Sequence, residues 1–236
     1  MPVSHPTIAA IETSTELASV ALLCGDRLSS RESSGAQTHS MTVLAMLQEL
    51  LREQEITLGQ CDALAFGSGP GSFTGVRTAC GLAQGLAFGA SLPVVPVVTL
   101  LAMADGARQQ GAGDNIIAVL DARMEEVYWA EYRFDGQWEI VNEPRLSAPE
   151  QVAAQHASCA TGNGLAAYAD RFAALQPIPR WPEVMPHATQ IALLGRQFFQ
   201  QGQGVHAREA QPLYLRNKVA LTTAERTAAH TAGAGT

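Results

Sequence analysis

The sequence predicts an α/β fold built from two similar halves, and three observations support this prediction. Short apolar runs end at glycine, proline or polar turns, as buried strands do. Three strand-like segments in succession open each half, and a helix, a strand and a second helix follow them. A glycine-rich loop separates a strand from a helix in the first half. The recurrence indicates a duplicated βββαβα unit.

The first half begins with two hairpins and continues into alternating helices and strands. The polar turn from Glu12 to Glu16 joins the first two strand-like runs, and Gly25-Asp26 joins the second run to the third. Ser72 or Thr74 can cap the helix that follows the glycine loop. The predicted strands are 7–11, 17–24, 27–32, 63–66 and 94–98, and the predicted helices are 41–55, 74–90 and 99–109.

The second half starts after a glycine-rich break at 110–114, the boundary region between the two lobes. We assign residues 1–98 to the N-terminal lobe, 99–220 to the C-terminal lobe and 221–236 to a flexible tail rich in Ala, Gly and Thr. The predicted strands of this half are 115–120, 127–134, 138–141 and 158–161, and its helices lie near 149–156 and 165–175 and at 189–201. Residues 176–186 contain four prolines and are predicted to be irregular, before a short final segment at 213–219.

The helix at 74–90 carries Gly81, Gly85 and Gly89, which recur every four residues and therefore share one face. Each glycine costs about 1 kcal/mol relative to alanine inside a helix, so the row indicates a close approach to the backbone. Packing on the domain's own sheet and contact with a helix of another chain both explain it. Spacing alone favours the first explanation.

The helix at 41–55 has an apolar belt wider than a one-sided surface helix needs. Such a belt must be covered on two sides, either entirely within the fold or partly by a partner, and the sequence leaves both open. Its apolar residues are Met41, Val43, Leu44, Met46, Leu47, Leu50 and Leu51.

Composition narrows the possible partners and the compartment. The 236 residues carry a formal net charge of −7 and a single lysine, Lys218, so we expect any contact with nucleic acid to be indirect. The four cysteines have no metal-site spacing and indicate buried thiols in a reducing compartment. No signal-peptide pattern or membrane-length apolar run is present, which predicts a soluble cytoplasmic protein.

The glycine loop does not match the common nucleotide-binding motifs. A P-loop needs Lys followed by Ser or Thr after its last glycine, whereas Gly75 precedes Val76-Arg77. The dinucleotide fingerprint also fails, because its third glycine is replaced by Ser72 or Thr74. A polar turn after the first strand and a glycine loop later in a two-lobed chain do suit the actin-like arrangement, which holds phosphates between lobes. Its phosphate-loop positions are Glu12, Thr13, Ser14, Gly69, Gly71, Ser72 and Thr74.

Signals for catalysis and for metal binding are weak. The six histidines are isolated, so no helix face presents paired imidazoles. No Gly-x-Ser-x-Gly nucleophile motif occurs. Glu12 and Asp121 each follow a strand and could flank a cleft as a carboxylate pair, although acids in such loops are more often solvated. We therefore predict no catalytic residue and no metal site.

Three motifs resemble the TsaB family, also called YeaZ, and they occur in that family's order along nearly the whole chain. They read Ile8-Ala-Ala-Ile-Glu12-Thr-Ser-Thr, Gly69-Pro-Gly71-Ser-Phe-Thr74-Gly75-Val-Arg77 and Pro212-Leu-Tyr214-Leu-Arg216-Asn. The resemblance implies a two-lobed actin/Hsp70-like fold of the ASKHA, ribonuclease H-like class, with duplicated βββαβα lobes.

The resemblance also implies a role as a non-catalytic subunit. In that family the relative TsaD carries out threonylcarbamoyl transfer to the adenosine next to the anticodon of tRNAs that read codons beginning with A. TsaB binds and activates TsaD, TsaE joins with ATP, and TsaB alone forms a homodimer. An ungapped alignment places Thr99 and Met103 where TsaD has His-x-x-x-His. Neither residue is a transition-metal ligand of the kind needed, so we expect no cofactor. We also expect the phosphate-loop positions to be degenerate. The alternative is an independent actin-like ATPase or a glycoprotease-like peptidase.

The same resemblance favours a partner for the two unusual helices. Helices 41–55 and 74–90 would be offered to TsaD in a heterodimer, as a bundle of two helices from each chain. The predicted interface residues are Met41, Leu44, Leu47, Leu51, Arg77, Gly81 and Gly85.

Overall fold

A computed structural model describes residues 5–34, 39–175 and 177–216, which form two five-stranded sheets and five α-helices. The first-sheet strands are β1 (Ile8–Glu12), β2 (Leu17–Cys24), β3 (Arg27–Ser34), β4 (Ala63–Gly69) and β5 (Val94–Val98). The second-sheet strands are β6 (Asn115–Arg123), β7 (Glu126–Phe134), β8 (Trp138–Ser147), β9 (Cys159–Thr161) and β10 (Arg180–Trp181). The helices are α1 (His39–Glu53), α2 (Phe73–Ala90), α3 (Thr99–Gln109), α4 (Gly164–Ala167) and α5 (Ala188–Gln200).

The two sheets have the same topology. The strand order is β3-β2-β1-β4-β5 in the first and β8-β7-β6-β9-β10 in the second. In each sheet the first three strands pair antiparallel, and the remaining two extend the sheet in parallel. The predicted α/β class and the duplicated sheet are therefore confirmed.

The core is layered around the two sheets. On one face of the first sheet, α1 and α2 bury side chains such as Val43, Leu50 and Ala83. Helices α3 and α5 lie between the sheets, in a cluster that joins Ile8 of β1 to Ile116 of β6. Helix α5 therefore packs on the first sheet, although its residues fall within the predicted C-terminal lobe, 99–220. The division between the lobes at residue 98 stays a prediction. The predicted tail, 221–236, lies outside the described residues.

The predicted helix at 149–156 is wrong, because only Pro149–Gln151 form a 3₁₀ turn there. The buried carboxylate of Glu131 on β7 accepts hydrogen bonds from the backbone N–H groups of Gln155, at 2.8 Å, and His156, at 2.6 Å. Those donors are thus used in tertiary contacts and cannot extend a helix.

The predicted helix at 165–175 is also largely wrong. It is reduced to the single turn α4 and two 3₁₀ turns, because Tyr168 adopts φ −133° and its hydroxyl donates to Asp121 at 3.1 Å. Phe172 and Leu175 then pack inward against the second sheet. Within the proline-rich stretch, β10 pairs with β9, which was not predicted. Of the predicted segment 213–219, residues 213–216 are described and have no regular structure.

The N-terminus of α5 supplies a prediction about pH. The Nδ1 atom of His187 accepts from the Thr189 backbone at 3.1 Å, while Nε2 lies 3.2 Å from Glu32. Burial lowers the pKa of His187 below its ordinary value of 6.5, against the opposing effect of Glu32. The unfolded chain therefore takes up a proton before the folded one, and stability present above pH 6.5 is lost as the pH falls through the folded pKa.

We expect the free energy of unfolding of the wild type to fall more steeply below this pH than that of His187→Asn, which keeps a capping acceptor. The difference is at most about 1.4 kcal/mol per pH unit for one group. Urea denaturation from pH 8 to pH 5 measures it. His206→Asn makes the same replacement at an exposed position and is the control. Equal slopes for wild type and His187→Asn would contradict the prediction.

Candidate ligand cleft and partner surface

The polar turn after β1 and the glycine loop before α2 touch each other directly. The Thr13 hydroxyl donates to the Gly75 carbonyl at 2.7 Å, and the Ser72 N–H donates to the Ser14 carbonyl at 2.7 Å. Glycine is required for this approach, because a β-carbon at position 75 would lie 2.0 Å from the Thr13 carbonyl oxygen. The structure therefore brings the predicted phosphate-loop positions together but fills the space between them with protein.

The N-terminus of α2 has bonded two of the backbone donors around it within the protein. The Ser72 side chain caps the helix by accepting from the Gly75 N–H at 3.4 Å, and the Ser72 N–H is already bound to the turn. Helix N-termini bind phosphate through such free N–H groups. This loop and helix therefore keep the shape of a phosphate site, but the N–H groups of Ser72 and Gly75 are already used within the protein.

Glu12 is fully buried, so the expectation that it is solvated is wrong. Its carboxylate accepts from the Ser14 N–H at 2.5 Å and from the Thr99 hydroxyl at 3.2 Å. A β-carbon at Gly67 would lie 1.9 Å from Oε2, so this glycine makes room for the acid. Burial raises the pKa of Glu12, and hydrogen bonds to the carboxylate oppose the shift. A carboxylate enclosed in this way is a structural group of the loop.

Asp121, which we considered as a carboxylate partner of Glu12, lies in a different environment. Asp121 accepts from the Arg123 N–H at 2.8 Å and from the Tyr168 hydroxyl at 3.1 Å, and it borders a cleft between the lobes. Glu12 does not line this cleft. Asp121 is thus held by its own hairpin and by Tyr168, and it does not act with Glu12 as a paired site.

The interlobe cleft has a volume of about 510 Å³. Its walls come from the polar turn, the start of α2, the β6–β7 hairpin, Asn163 and a C-terminal segment that we define as residues 210–216. Apolar side chains form most of it, among them Val76, Leu120, Tyr128 and Leu213. The sequence indicated a cleft between lobes, but it did not predict that the C-terminal segment forms a wall.

The C-terminal segment crosses from one lobe to the other. Gln84 of α2 donates to the Ala210 carbonyl at 2.9 Å, and the Leu213 N–H donates to the Ser68 carbonyl at 2.7 Å. At its end, Arg216 donates to the Ala122 carbonyl at 3.0 Å and pairs with Glu126 at 2.7 Å. The Pro212–Asn217 motif and the predicted final segment at 213–219 did not indicate where this part of the chain lies.

The glycine row of α2 faces open space. A β-carbon at Gly81, Gly85 or Gly89 would meet no atom within 4 Å, and the neighbouring Phe88 is 71% exposed. The preferred interpretation, packing on the domain's own sheet, is therefore wrong. The face that packs on the sheet instead carries Ala79, Ala83 and Ala87.

The other predicted interface residues have different surroundings. Met41 is 74% exposed, and Leu44 and Leu51 are partly exposed, whereas Leu47 is 2% exposed and belongs to the core. The guanidinium of Arg77 lies 3.1 Å above the Phe73 ring and 4.9 Å from the Tyr214 ring. Arg77 therefore joins α2 to the C-terminal segment.

Thr99 and Met103, which replace the two histidines of TsaD in the alignment, serve internal packing. Thr99 accepts from the Gly69 N–H at 3.2 Å and donates to Glu12, and both Thr99 and Met103 are fully buried. Among the described residues, His, Cys, Asp and Glu side chains form no group of three that could hold a metal ion. Within the same part of the chain, no helix is long and apolar enough to cross a membrane.

Two relatives named tRNA threonylcarbamoyladenosine biosynthesis protein TsaB are similar to this chain over most of its length. The Haemophilus influenzae protein is 39% identical over 225 residues, which cover 90% of this chain and 94% of that protein. The Escherichia coli protein is 38% identical over 221 residues, which cover 90% and 96% respectively. The chain belongs to the TsaB family. The resemblance stated from its three motifs is confirmed.

Solved TsaB-type structures have the same fold. YeaZ from Pseudomonas aeruginosa superposes with a TM-score of 0.83 and 37% identity, covering 89% of this chain and all of that chain. A second Pseudomonas aeruginosa structure is described as an uncharacterized protein with similarity to peptidase YEAZ. It superposes with a TM-score of 0.85 and 36% identity, covering 89% of this chain and 100% of that chain. Residues 32–230 also match the wider family described as TsaD: tRNA N6-adenosine threonylcarbamoyltransferase, to which the chain therefore belongs. The predicted two-lobed, actin-like α/β fold is confirmed.

Proposed function

We propose that this chain is a non-catalytic subunit of the machinery that makes threonylcarbamoyladenosine in tRNA. It binds and activates a TsaD protein in the cytoplasm, and with TsaE and ATP it is required for threonylcarbamoyl transfer to the adenosine next to the anticodon. Without TsaD, it pairs with a second copy of itself through the same helices. The names of its relatives and its family membership support this proposal.

The open face of α2 is the observation that carries the proposal. Gly81, Gly85 and Gly89 leave the helix backbone uncovered, and Phe88 stands exposed beside them. Glycine in a helix interior is unfavourable, and an exposed phenylalanine gains nothing in water. Both features become favourable when a second helix packs closely against this face. Met41 of α1 is a further exposed apolar side chain.

The contacts around the glycine loop support a subunit without its own chemistry. Glu12 is enclosed, Thr99 and Met103 are buried, and the Ser72 N–H of the loop is already bonded within the protein. Catalysis by this fold would need exposed reactive groups at these positions, and the chain uses them for internal contacts. We therefore assign the transfer chemistry to TsaD.

Co-purification with TsaD, followed by a modification assay, tests the proposal. We expect the two proteins to elute as a stable complex, and modification of tRNA by TsaD, TsaE and ATP to require this chain. The isolated chain should neither hydrolyse ATP nor cleave peptides. Full modification without the chain would contradict the proposal, and so would ATP or peptide turnover by the chain alone.

A further inference from the structure

The C-terminal segment borders the open face of α2 on one side. Residues four or seven apart lie on the same side of a helix, so Arg77, Gln84 and Phe88 follow one another along one edge of that face. Gln84 donates to the Ala210 carbonyl of the segment at 2.9 Å, and the Tyr214 ring lies 4.9 Å from the Arg77 guanidinium. A helix packed on the open face would therefore also lie beside the C-terminal segment.

Arg77 is an exposed cation whose position is fixed by aromatic rings. Its guanidinium lies 3.1 Å above the Phe73 ring, and Tyr214 adds a second ring. Ring contacts of this kind use the faces of the planar guanidinium and leave its N–H groups, which lie in its plane, available to an acceptor. Among the described residues, Arg77 has neither a hydrogen-bond acceptor nor an acidic partner. Its donors are therefore oriented but unused.

Another stacked arginine of this chain shows what Arg77 lacks. Arg108 lies 3.5 Å above the Phe134 ring, and its guanidinium also pairs with Asp114 at 2.8 Å. A carboxylate and a ring can thus bind one guanidinium together, because they use different parts of it. Arg77 has the ring contact without the carboxylate, so its surroundings fit an acidic group supplied from outside the chain.

The start of α2 also favours a negatively charged group. The N–H groups of Phe73 and Thr74, its first two residues, have no acceptor within the described part of the chain, and a helix N-terminus carries partial positive charge. The helix itself contains no acidic residue. A carboxylate of a protein fits better than nucleic acid, because one cation on a chain of formal net charge −7 gives a phosphate backbone little attraction.

We propose that Arg77, held by Phe73 and Tyr214, binds a carboxylate side chain of TsaD at the N-terminal end of the open face; this inference rests on the proposed function. The fork of an arginine matches a carboxylate, so the contact fixes position as well as adding affinity. The glycine row alone leaves the register of a partner helix undefined, because the same residue recurs at about every turn. A charged contact at one end of the face sets that register.

The affinity of the purified full chain for purified TsaD, measured in about 0.05 M and about 0.5 M NaCl, tests the proposal. At the lower salt, Arg77→Gln should weaken binding about tenfold and Arg77→Glu about 100-fold, because the first removes an attraction and the second adds a repulsion. Arg77→Lys keeps the charge without the fork and should fall between the wild type and Arg77→Gln. At the higher salt, the difference between wild type and Arg77→Glu should shrink.

Arg145 of β8 provides the matched control. It is also exposed and lies over an aromatic ring, at 5.7 Å from Trp129, but it belongs to the second sheet. Arg145→Glu makes the same change in net charge and should leave the affinity for TsaD within about twofold of the wild type. Thermal melting shows whether each variant is folded. If Arg77→Glu is not, the comparison of Arg77→Gln with Arg77→Lys takes its place.

Equal losses for Arg77→Gln and Arg77→Glu at both salt concentrations would show that Arg77 only holds the C-terminal segment, and would overturn the proposal. Binding of tRNA by the isolated chain that Arg77→Gln abolishes would also overturn it, because the ligand would then be a phosphate. A wild-type chain that does not bind TsaD contradicts the proposed function itself. Unchanged binding by a folded Arg77→Glu variant contradicts only the role assigned to Arg77.

Discussion

A Gly75→Ala variant should lose about 3 kcal/mol or more of stability, a large part of the roughly 5–15 kcal/mol that holds a domain folded. The added β-carbon would lie 2.0 Å from the Thr13 carbonyl oxygen, a backbone atom that cannot rotate away. The polar turn must then separate from the glycine loop, which breaks the hydrogen bond from the Thr13 hydroxyl to the Gly75 carbonyl. Urea denaturation measures the loss.

Gly81→Ala is the matched control, because it makes the same chemical change in the same helix. A β-carbon at position 81 meets no atom within 4 Å, so only helix propensity changes, and stability should rise by about 1 kcal/mol. The free energies of unfolding of the two variants should therefore differ by about 4 kcal/mol, with Gly75→Ala less stable and Gly81→Ala more stable than the wild type. A Gly75→Ala protein as stable as the wild type would show that the two loops are not in firm contact.

The second large effect is expected on partner binding. Gly85→Leu should weaken binding to TsaD about 100-fold or more, since a leucine side chain at the centre of a close helix crossing keeps the partner backbone away. The isolated chain should remain folded, because the position opens onto free space. Its stability should rise by up to about 1 kcal/mol, because leucine favours a helix more than glycine does. A pull-down with purified TsaD and a thermal melt measure both quantities.

Gln137→Leu serves as the control for this experiment, because it places an equally apolar side chain at an exposed position of the β7–β8 turn. We expect this variant to bind TsaD normally. Leu47→Asp is unsuitable as an interface variant, because Leu47 is buried in the core and an aspartate there would unfold the chain. Normal binding by Gly85→Leu would exclude α2 as the contact surface.

Local signals in the sequence were sufficient for most of the fold. Strand-like segments bounded by turn residues located nine of the ten strands, and Ser72 caps α2 as its position before the helix indicated. The missed strand, β10, is two residues long and lies among prolines. The failed helices near 149–156 and 165–175 depend on distant partners, Glu131 and Asp121, which no local pattern reveals.

The site was less predictable because its groups meet through tertiary contacts. Periodicity showed that the glycines of α2 share a face, but alanine and glycine differ too little in hydrophobicity to show which face is buried. Glu12 looked like a solvated loop acid because Gly67, which makes room for it, lies far along the chain. Arg77 and Tyr214 are equally remote in sequence, so neither their stacking nor the wall formed by the C-terminal segment could be inferred.

The position of α5 has a consequence for synthesis on the ribosome. Residues such as Ile8 and Ala65 of the first sheet face a cluster that contains Ile191 and Leu194 of α5. A nascent chain ending near residue 98 would expose that apolar face to water, with the covering helix not yet translated. The first sheet can therefore reach its native packing only after α5 has been translated and has left the ribosome.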